Sequence, residues 1–291
     1  MKKYCWVVYL LLCLLLISAC AGTKPAAPGQ PGNDIPLSFT PAKHLVFICL
    51  DGWGGAYVSK ADMPAAKRMM GKGASCLNMK CVMPSNSWPN WTSLFSGTPP
   101  EYRDSDNFPT IFTVIENSEQ DRSQAFFYEW DELRLINRNE ADSFAISSSI
   151  ESALSVSAYI IENKPVFTAV IFNEPDSTGH SKRWGSKAYY ATLAELDTFV
   201  AIIEQGVKDA GIYGETVFVL SADHGGALWG HGFNLSSHRK IPLIIYGKGI
   251  KEGFAIPSPV SICDLAPTMA KILGLAAPPI WTGKPLTEVI K

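Results

Sequence analysis

Unbroken apolar runs and amphipathic stretches alternate along the chain from residue 43 onward. HLVFICL (44–50) has no polar interruption after its first residue, the pattern of a strand covered on both faces. MPAAKRMMGKG (63–73) predicts a short helix closed by glycine, and CLNMKCVM (76–83) a strand. PNWTSLFSG (89–97) predicts a helix opened by proline and closed by Gly97. QAFFYEW (124–130) reads as a strand, SSSIESALSVSAYIIENK (147–164) as a helix with a serine-rich start, and PVFTAVIF (165–172) as a strand. The longest helix is expected over residues 187–211, where apolar residues recur at three- and four-residue intervals. ETVFVLSA (215–222) and IPLIIYG (241–247) predict strands, and CDLAPTMAKILGL (263–275) a closing helix. The alternation predicts one α/β domain over residues 41–291, with a mostly parallel sheet and helices on both faces.

The N-terminus follows another pattern. MKK is a positive leader, and CWVVYLLLCLLLIS is an apolar run too short to span a bilayer comfortably. It ends in ISAC, which resembles the bacterial lipobox, so residues 1–19 are expected to be a signal peptide and Cys20 the lipidated residue. Residues 20–40, rich in Pro, Gly and Ala, read as a flexible tether between a membrane and the domain. Removing residues 1–19 takes away Lys2 and Lys3 and shifts the formal charge from −2 to −4. Export permits disulfides. Cys49, Cys76, Cys81 and Cys263 then remain, without metal-ligand spacing, and both a Cys76–Cys81 bridge and free thiols fit the pattern. At 47% hydrophobic and 18% charged, with no basic run, the chain offers no nucleic-acid-binding surface.

Ligands of open α/β sheets bind beyond the carboxyl ends of the strands. Four predicted strands end in polar chemistry: Asp51-Gly52, the loop NEPDSTGH (173–180), Asp223-His224, and the serine-rich stretch before the helix at Pro89. Asp176 and His180 stand four apart, able to curl round one ion, and His231 is flanked by glycines. Such mixed Asp/His sets suit two Zn²⁺ ions in a hydrolytic site, with Mn²⁺ as competitor.

ICLDGW, SWPNWTSLFSGTPPE, FNEPDSTGH, SADHGG, GHGFN and DLAPTMAKILG occur in an order that resembles the alkaline phosphatase superfamily. Within it the resemblance, from Lys43 to the C-terminus, is to the type I phosphodiesterase/nucleotide pyrophosphatase branch. It implies an alkaline-phosphatase-like fold and a two-metal hydrolase of phosphate-ester small molecules. Asp51 matches the first metal aspartate, and Ser87 stands where that branch carries a threonine nucleophile. Asp176, His180 and His231 match the ligands of one metal, and Asp223 and His224, with Asp51, those of the other. Ser87 would form a covalent phosphoserine at a helix mouth, between dications about 4 Å apart that meet both the entering and the leaving oxygen. Asn107 is expected to touch a phosphate oxygen, although PPEYRDSDN departs from the branch's Pro-Glu-x-His-Gly segment.

Phosphodiester or nucleotide pyrophosphate bonds are favoured over monoesters. A phosphomonoesterase and a catalytically inactive, lipid-anchored binding protein stay open as alternatives. Formylglycine sulfatase chemistry is disfavoured, because Trp91 stands where Cys/Ser-x-Pro-x-Arg requires arginine. Ser85 is expected to be a cap or plain loop, and His238 a surface or supporting residue.

Overall fold

Strand β1 (His44–Leu50) lies between β5 (Phe167–Phe172) and β6 (Thr216–Ser221), parallel to both, with Leu45 opposite Phe167 and Val217. Residues Leu45 to Leu50 are at most 2% exposed, so the apolar run has the burial its pattern requires. The computed structural model describes residues 39–103, 108–118 and 123–291, and those from 39 onward belong to one compact unit.

The remaining strands are β2 (Ala74–Lys80), β3 (Gln124–Tyr128), β4 (Asp142–Ala145), β7 (Lys240–Gly247) and β8 (Phe254–Ala255). The eight form one sheet in the order β4-β3-β5-β1-β6-β7-β2-β8. Only β7 runs against its neighbours β6 and β2. Its N-terminal end therefore lies at the same sheet edge as the C-terminal ends of the parallel strands, and it delivers residues 231–239 to that edge.

The helices are α1 (Pro64–Gly71), α2 (Ser87–Ser96), α3 (Ile111–Glu116), α4 (Arg134–Asn137), α5 (Ile150–Asn163), α6 (Asp176–Lys182), α7 (Lys187–Asp209), α8 (Ser236–Arg239) and α9 (Leu265–Ile272). One set, α1, α5 and α7, packs together, and α2, α3 and α9 form a second. In α7 the buried Leu193, Leu196, Val200, Ile203 and Val207 follow the expected period. Its buried Asp197 accepts hydrogen bonds from Ala65 and Ala66 N–H (both 2.8 Å), satisfying the open first turn of α1. No helix among the described residues is long and apolar enough to cross a membrane.

Several boundaries differ from expectation. Strand β2 ends at Lys80 rather than at residue 83. The Asn90 side chain accepts from Val82 N–H at 2.7 Å and donates to Asn86 O at 2.9 Å, folding 82–86 back onto α2. That helix starts at Ser87, two residues before Pro89, and ends at Gly97 with φ +60°. The edge strands β4 and β8, of four and two residues, are too short to carry a period. Among the described residues Cys49, Cys76, Cys81 and Cys263 are buried free thiols.

Candidate active site

The site is built where β1, β5 and β6 end and α2 begins. Asp51 follows β1 directly and is 5% exposed, while Asp223 and His224, just beyond β6, are wholly buried. Asp176 opens α6, so His180 lies one turn on, on the same face, with its Nε2 3.4 Å from Asp176 Oδ2. The expected loop is thus a helix, and the helical turn itself is what brings the two donors together. His231 comes from the loop before α8, its Nε2 3.7 Å from Asp176 Oδ1 and 3.1 Å from His180 Nε2. On the other side, His224 Nε2 is 3.5 Å from Asp51 Oδ1 and 3.3 Å from Asp223 Oδ2. Ser87 Oγ lies 3.1 Å from the same His224 nitrogen.

Each ring's Nδ1 faces a backbone carbonyl: Trp229 O for His180 (2.9 Å), Gly225 O for His224 (3.0 Å) and Ser85 O for His231 (3.0 Å). With the proton on Nδ1, each Nε2 presents a lone pair inward. Two such lone pairs 3.1 Å apart, on His180 and His231, repel unless a cation or a proton lies between them. The carboxylates are left open in the same way. Asp51 Oδ1, Asp176 Oδ1 and Asp223 Oδ2 are buried oxygens with no hydrogen-bond partner. Asp223 Oδ1 is fully used, accepting from Gly52 N–H (3.1 Å) and His224 N–H (2.8 Å).

Two donor groups among the described residues are compact enough to hold a metal ion: Asp176, His180 and His231, and Asp51, Asp176 and His224. Asp176 belongs to both, and Asp223 Oδ2 borders the second. Burial, and then Asp223 and Asp176, push the Asp51 carboxyl well above the usual range. Burial, Asp223 and Glu174 raise Asp176 to about 8. Asp223 rises only to about 6, because the Gly52 and His224 N–H groups offset its burial. Burial lowers His224 to about 3, and burial with His224 lowers His231 to about 4. Neutral imidazoles and crowded, unpartnered carboxylates are a donor set for divalent cations.

Two supports lie inside ICLDGW and SWPNWTSLFSGTPPE, but nothing local in those stretches gives their contacts. Trp91, one turn beyond Ser87 and fully buried, donates its indole N–H to Asp51 Oδ2 at 3.3 Å, leaving Oδ1 for the site. Trp91→Phe should keep the packing, drop the donor and weaken metal binding about tenfold, as losses of such outer contacts do; chelator competition would measure this. Gly52 has φ +73°, and a Cβ there would sit 2.9 Å from Asp176. Gly52→Ala is expected to cost about 2 kcal/mol in urea unfolding and to lower metal content.

Ser85 is no cap: its Oγ donates to Phe233 O at 3.0 Å while its carbonyl holds His231. Asn86 is the N-cap of α2 and makes no side-chain capping bond. His238 is not at the surface but 3% exposed, with its Nδ1 accepting from Phe233 N–H at 3.3 Å. Tyr128 is core, and Trp130 packs edge-on against Trp88 with ring centres 5.8 Å apart. A cavity of about 700 Å³ runs along α2 from Trp88, lined by Thr92, Arg103, Phe108, Leu135 and Arg138 among others. Cys20 and Asn107, with the expected signal peptide and most of the tether, lie outside the described residues.

Fold and motif set together define a member of the alkaline phosphatase superfamily. The chain belongs to the type I phosphodiesterase/nucleotide pyrophosphatase family, whose model matches residues 45–103 and 110–237. Murine ectonucleotide pyrophosphatase/phosphodiesterase 5, solved in complex with AMP as an inactive variant, superposes with a TM-score of 0.71 at 12% identity, over 86% of this chain and all of that one. Arylsulfatase K of Danio rerio is 35% identical over 94 residues, 30% of this chain and 18% of the relative. GPI ethanolamine phosphate transferase 1 of Neurospora crassa is 36% identical over 87 residues, 30% of this chain and 9% of the relative. The matched segments thus span less than a fifth of either curated relative.

Proposed function

We propose that the chain is a two-metal hydrolase that cleaves phosphodiester or nucleotide pyrophosphate bonds through a phosphoserine on Ser87, held at a bacterial envelope membrane by lipid on Cys20. One observation carries the catalytic reading: three unpartnered carboxylate oxygens and three imidazole Nε2 atoms converge beside the Ser87 hydroxyl. Asp176, His180 and His231 would hold one ion, and Asp51, Asp223 and His224, with Ser87, the other. Zn²⁺ ions there, or Mn²⁺, would lower the hydroxyl pKa of Ser87 and neutralise charge on the transferred phosphoryl oxygens and the leaving group.

The protein's own groups do the rest. Ser87 is the first residue of α2, and no side chain caps that helix, so its opening N–H groups are available to a phosphate oxygen. Ser87 Oγ bonds to phosphorus as the phosphorus–oxygen bond to the leaving group breaks. Water then cleaves the phosphoserine, so one water is consumed overall: a diester gives an alcohol and a monoester, and a nucleotide pyrophosphate gives a nucleoside monophosphate and the displaced phosphate. The cavity along α2 has room for one ester substituent. Sulfatase chemistry fits less well: the buried Trp91, bound to Asp51, occupies the place of the arginine that motif requires.

Hydrolysis of bis-p-nitrophenyl phosphate against p-nitrophenyl phosphate tests the substrate class, and mass spectrometry of acid-quenched protein tests the intermediate. Faster monoester cleavage would sink the diester assignment. A phosphoryl group found on any residue but Ser87 would sink the nucleophile.

A further inference from the structure

The rim of this site is unusually apolar. Among the described residues twelve large hydrophobic side chains are exposed, and six of them lie on two segments: Met83 and Trp88, and Leu228, Trp229, Phe233 and Leu235. The segments are tied together and to the site by Ser85, whose Oγ bonds Phe233 O and whose carbonyl holds His231. The four residues of the second segment are 52–68% exposed, well beyond the scatter normal for a surface. Leu228 and Trp229 form the tip of a turn closed by paired Ala227 and Gly230 backbone bonds (3.0 and 3.1 Å). Leu228 has φ +55°, a conformation that favours glycine, so an apolar side chain is held out at a backbone cost.

We propose that this collar is a membrane-contact surface that seats the mouth of the site against an anionic lipid bilayer. Tryptophan and phenylalanine beside leucine are the side chains that partition to the headgroup boundary. Charge agrees: residues 83–99 and 225–251 contain no aspartate or glutamate. Lys182 and Arg183 are exposed where α6 ends, next to Trp184, whose N–H bonds Leu228 O at 2.8 Å. Reach agrees as well. The tether expected from Cys20 to Phe39 spans on the order of 60 Å when extended. Strand β1, whose far end bears the site, is roughly 23 Å long. An anchored chain can therefore turn this face to its own membrane, where phosphates are presented at headgroup level.

The full-length chain is added to vesicles of phosphatidylglycerol and phosphatidylcholine carrying brominated acyl chains, which quench tryptophan on contact. Wild type, Trp229→Phe and a Lys182→Glu/Arg183→Glu variant are compared. Quenching should fall clearly in Trp229→Phe, and the charge variant should show the wild-type loss only at high salt. Equal quenching in wild type and Trp229→Phe would overturn the proposal; a protein or soluble ligand as the occupant gives that result. No turnover is read, so failure here is distinct from failure of the hydrolase reading. Trp229 sits at an exposed turn tip and holds His180 through its carbonyl alone, so the variant retains the fold.

Discussion

Ser87→Ala is expected to lower kcat for bis-p-nitrophenyl phosphate by about 10⁴-fold or more while leaving the melting temperature within a few degrees of wild type. The reason is positional. Ser87 is half-buried at the mouth of α2, and its hydroxyl points at His224 Nε2 rather than into the helix turn. Removing Oγ therefore deletes the atom proposed to attack phosphorus while costing the core almost nothing. The neighbouring Ser85 is the control. Ser85→Ala loses a bond to Phe233 O in a buried position, so it should cost about 1 kcal/mol of stability. Its carbonyl still holds His231, so turnover should stay within about tenfold. Comparable losses of kcat in both variants, with the melting temperature preserved, would remove Ser87 from its assigned role.

Chelation should abolish turnover, by roughly 10³-fold or more, and Zn²⁺ should restore it. It should also change how stability responds to pH. In the metal-free protein Asp223 and Asp176 have folded pKa values of about 6 and 8, against about 3.9 when unfolded. Both bind protons more tightly when folded, so their contribution is complete below about pH 4 and is lost as pH rises through 6 and then 8. His224 and His231 act in the opposite sense. Their folded values of about 3 and 4 lie below the unfolded 6.5. Their contribution therefore grows as pH rises and is complete above about 6.5. Below that the two effects oppose each other, and from about pH 6.5 to 8.5 the loss from Asp176 continues, with Asp51, whose carboxyl is also raised, acting in the same direction. Urea midpoints should thus fall across that interval in EDTA and stay nearly flat with Zn²⁺. A metal-free protein that is more stable at pH 8.5 than at pH 6.5 would contradict the carboxylate cluster.

The Asn90 side chain illustrates how far local reading reaches. A proline at position 89 predicts a helix start, yet the helix begins at Ser87, because the Asn90 amide folds residues 82–86 back onto it. That shift sets Ser87 in the first turn. Similarly, a four-residue Asp–His spacing is legible on paper, but its meaning depends on α6 being a helix and not a loop.

Alternation of apolar runs and amphipathic stretches was sufficient for the α/β class and the mostly parallel sheet, and the family followed from the resemblance of the ordered motifs ICLDGW, SWPNWTSLFSGTPPE, FNEPDSTGH, SADHGG, GHGFN and DLAPTMAKILG. Those features are written in residues close together along the chain, where period and turn chemistry act. The tertiary structure decided how the donors in those motifs meet. Ser85 and His231 are 146 positions apart, and Ser87 and His224 137. Neither the carbonyls that direct each Nε2 inward, on Ser85, Gly225 and Trp229, nor the Trp91 indole that keeps one oxygen of Asp51 open is given that contact by the motif it lies in or beside. Such contacts arise only when the sheet order brings the ends of β1, β5 and β6 to one edge and antiparallel β7 returns the late histidine to it.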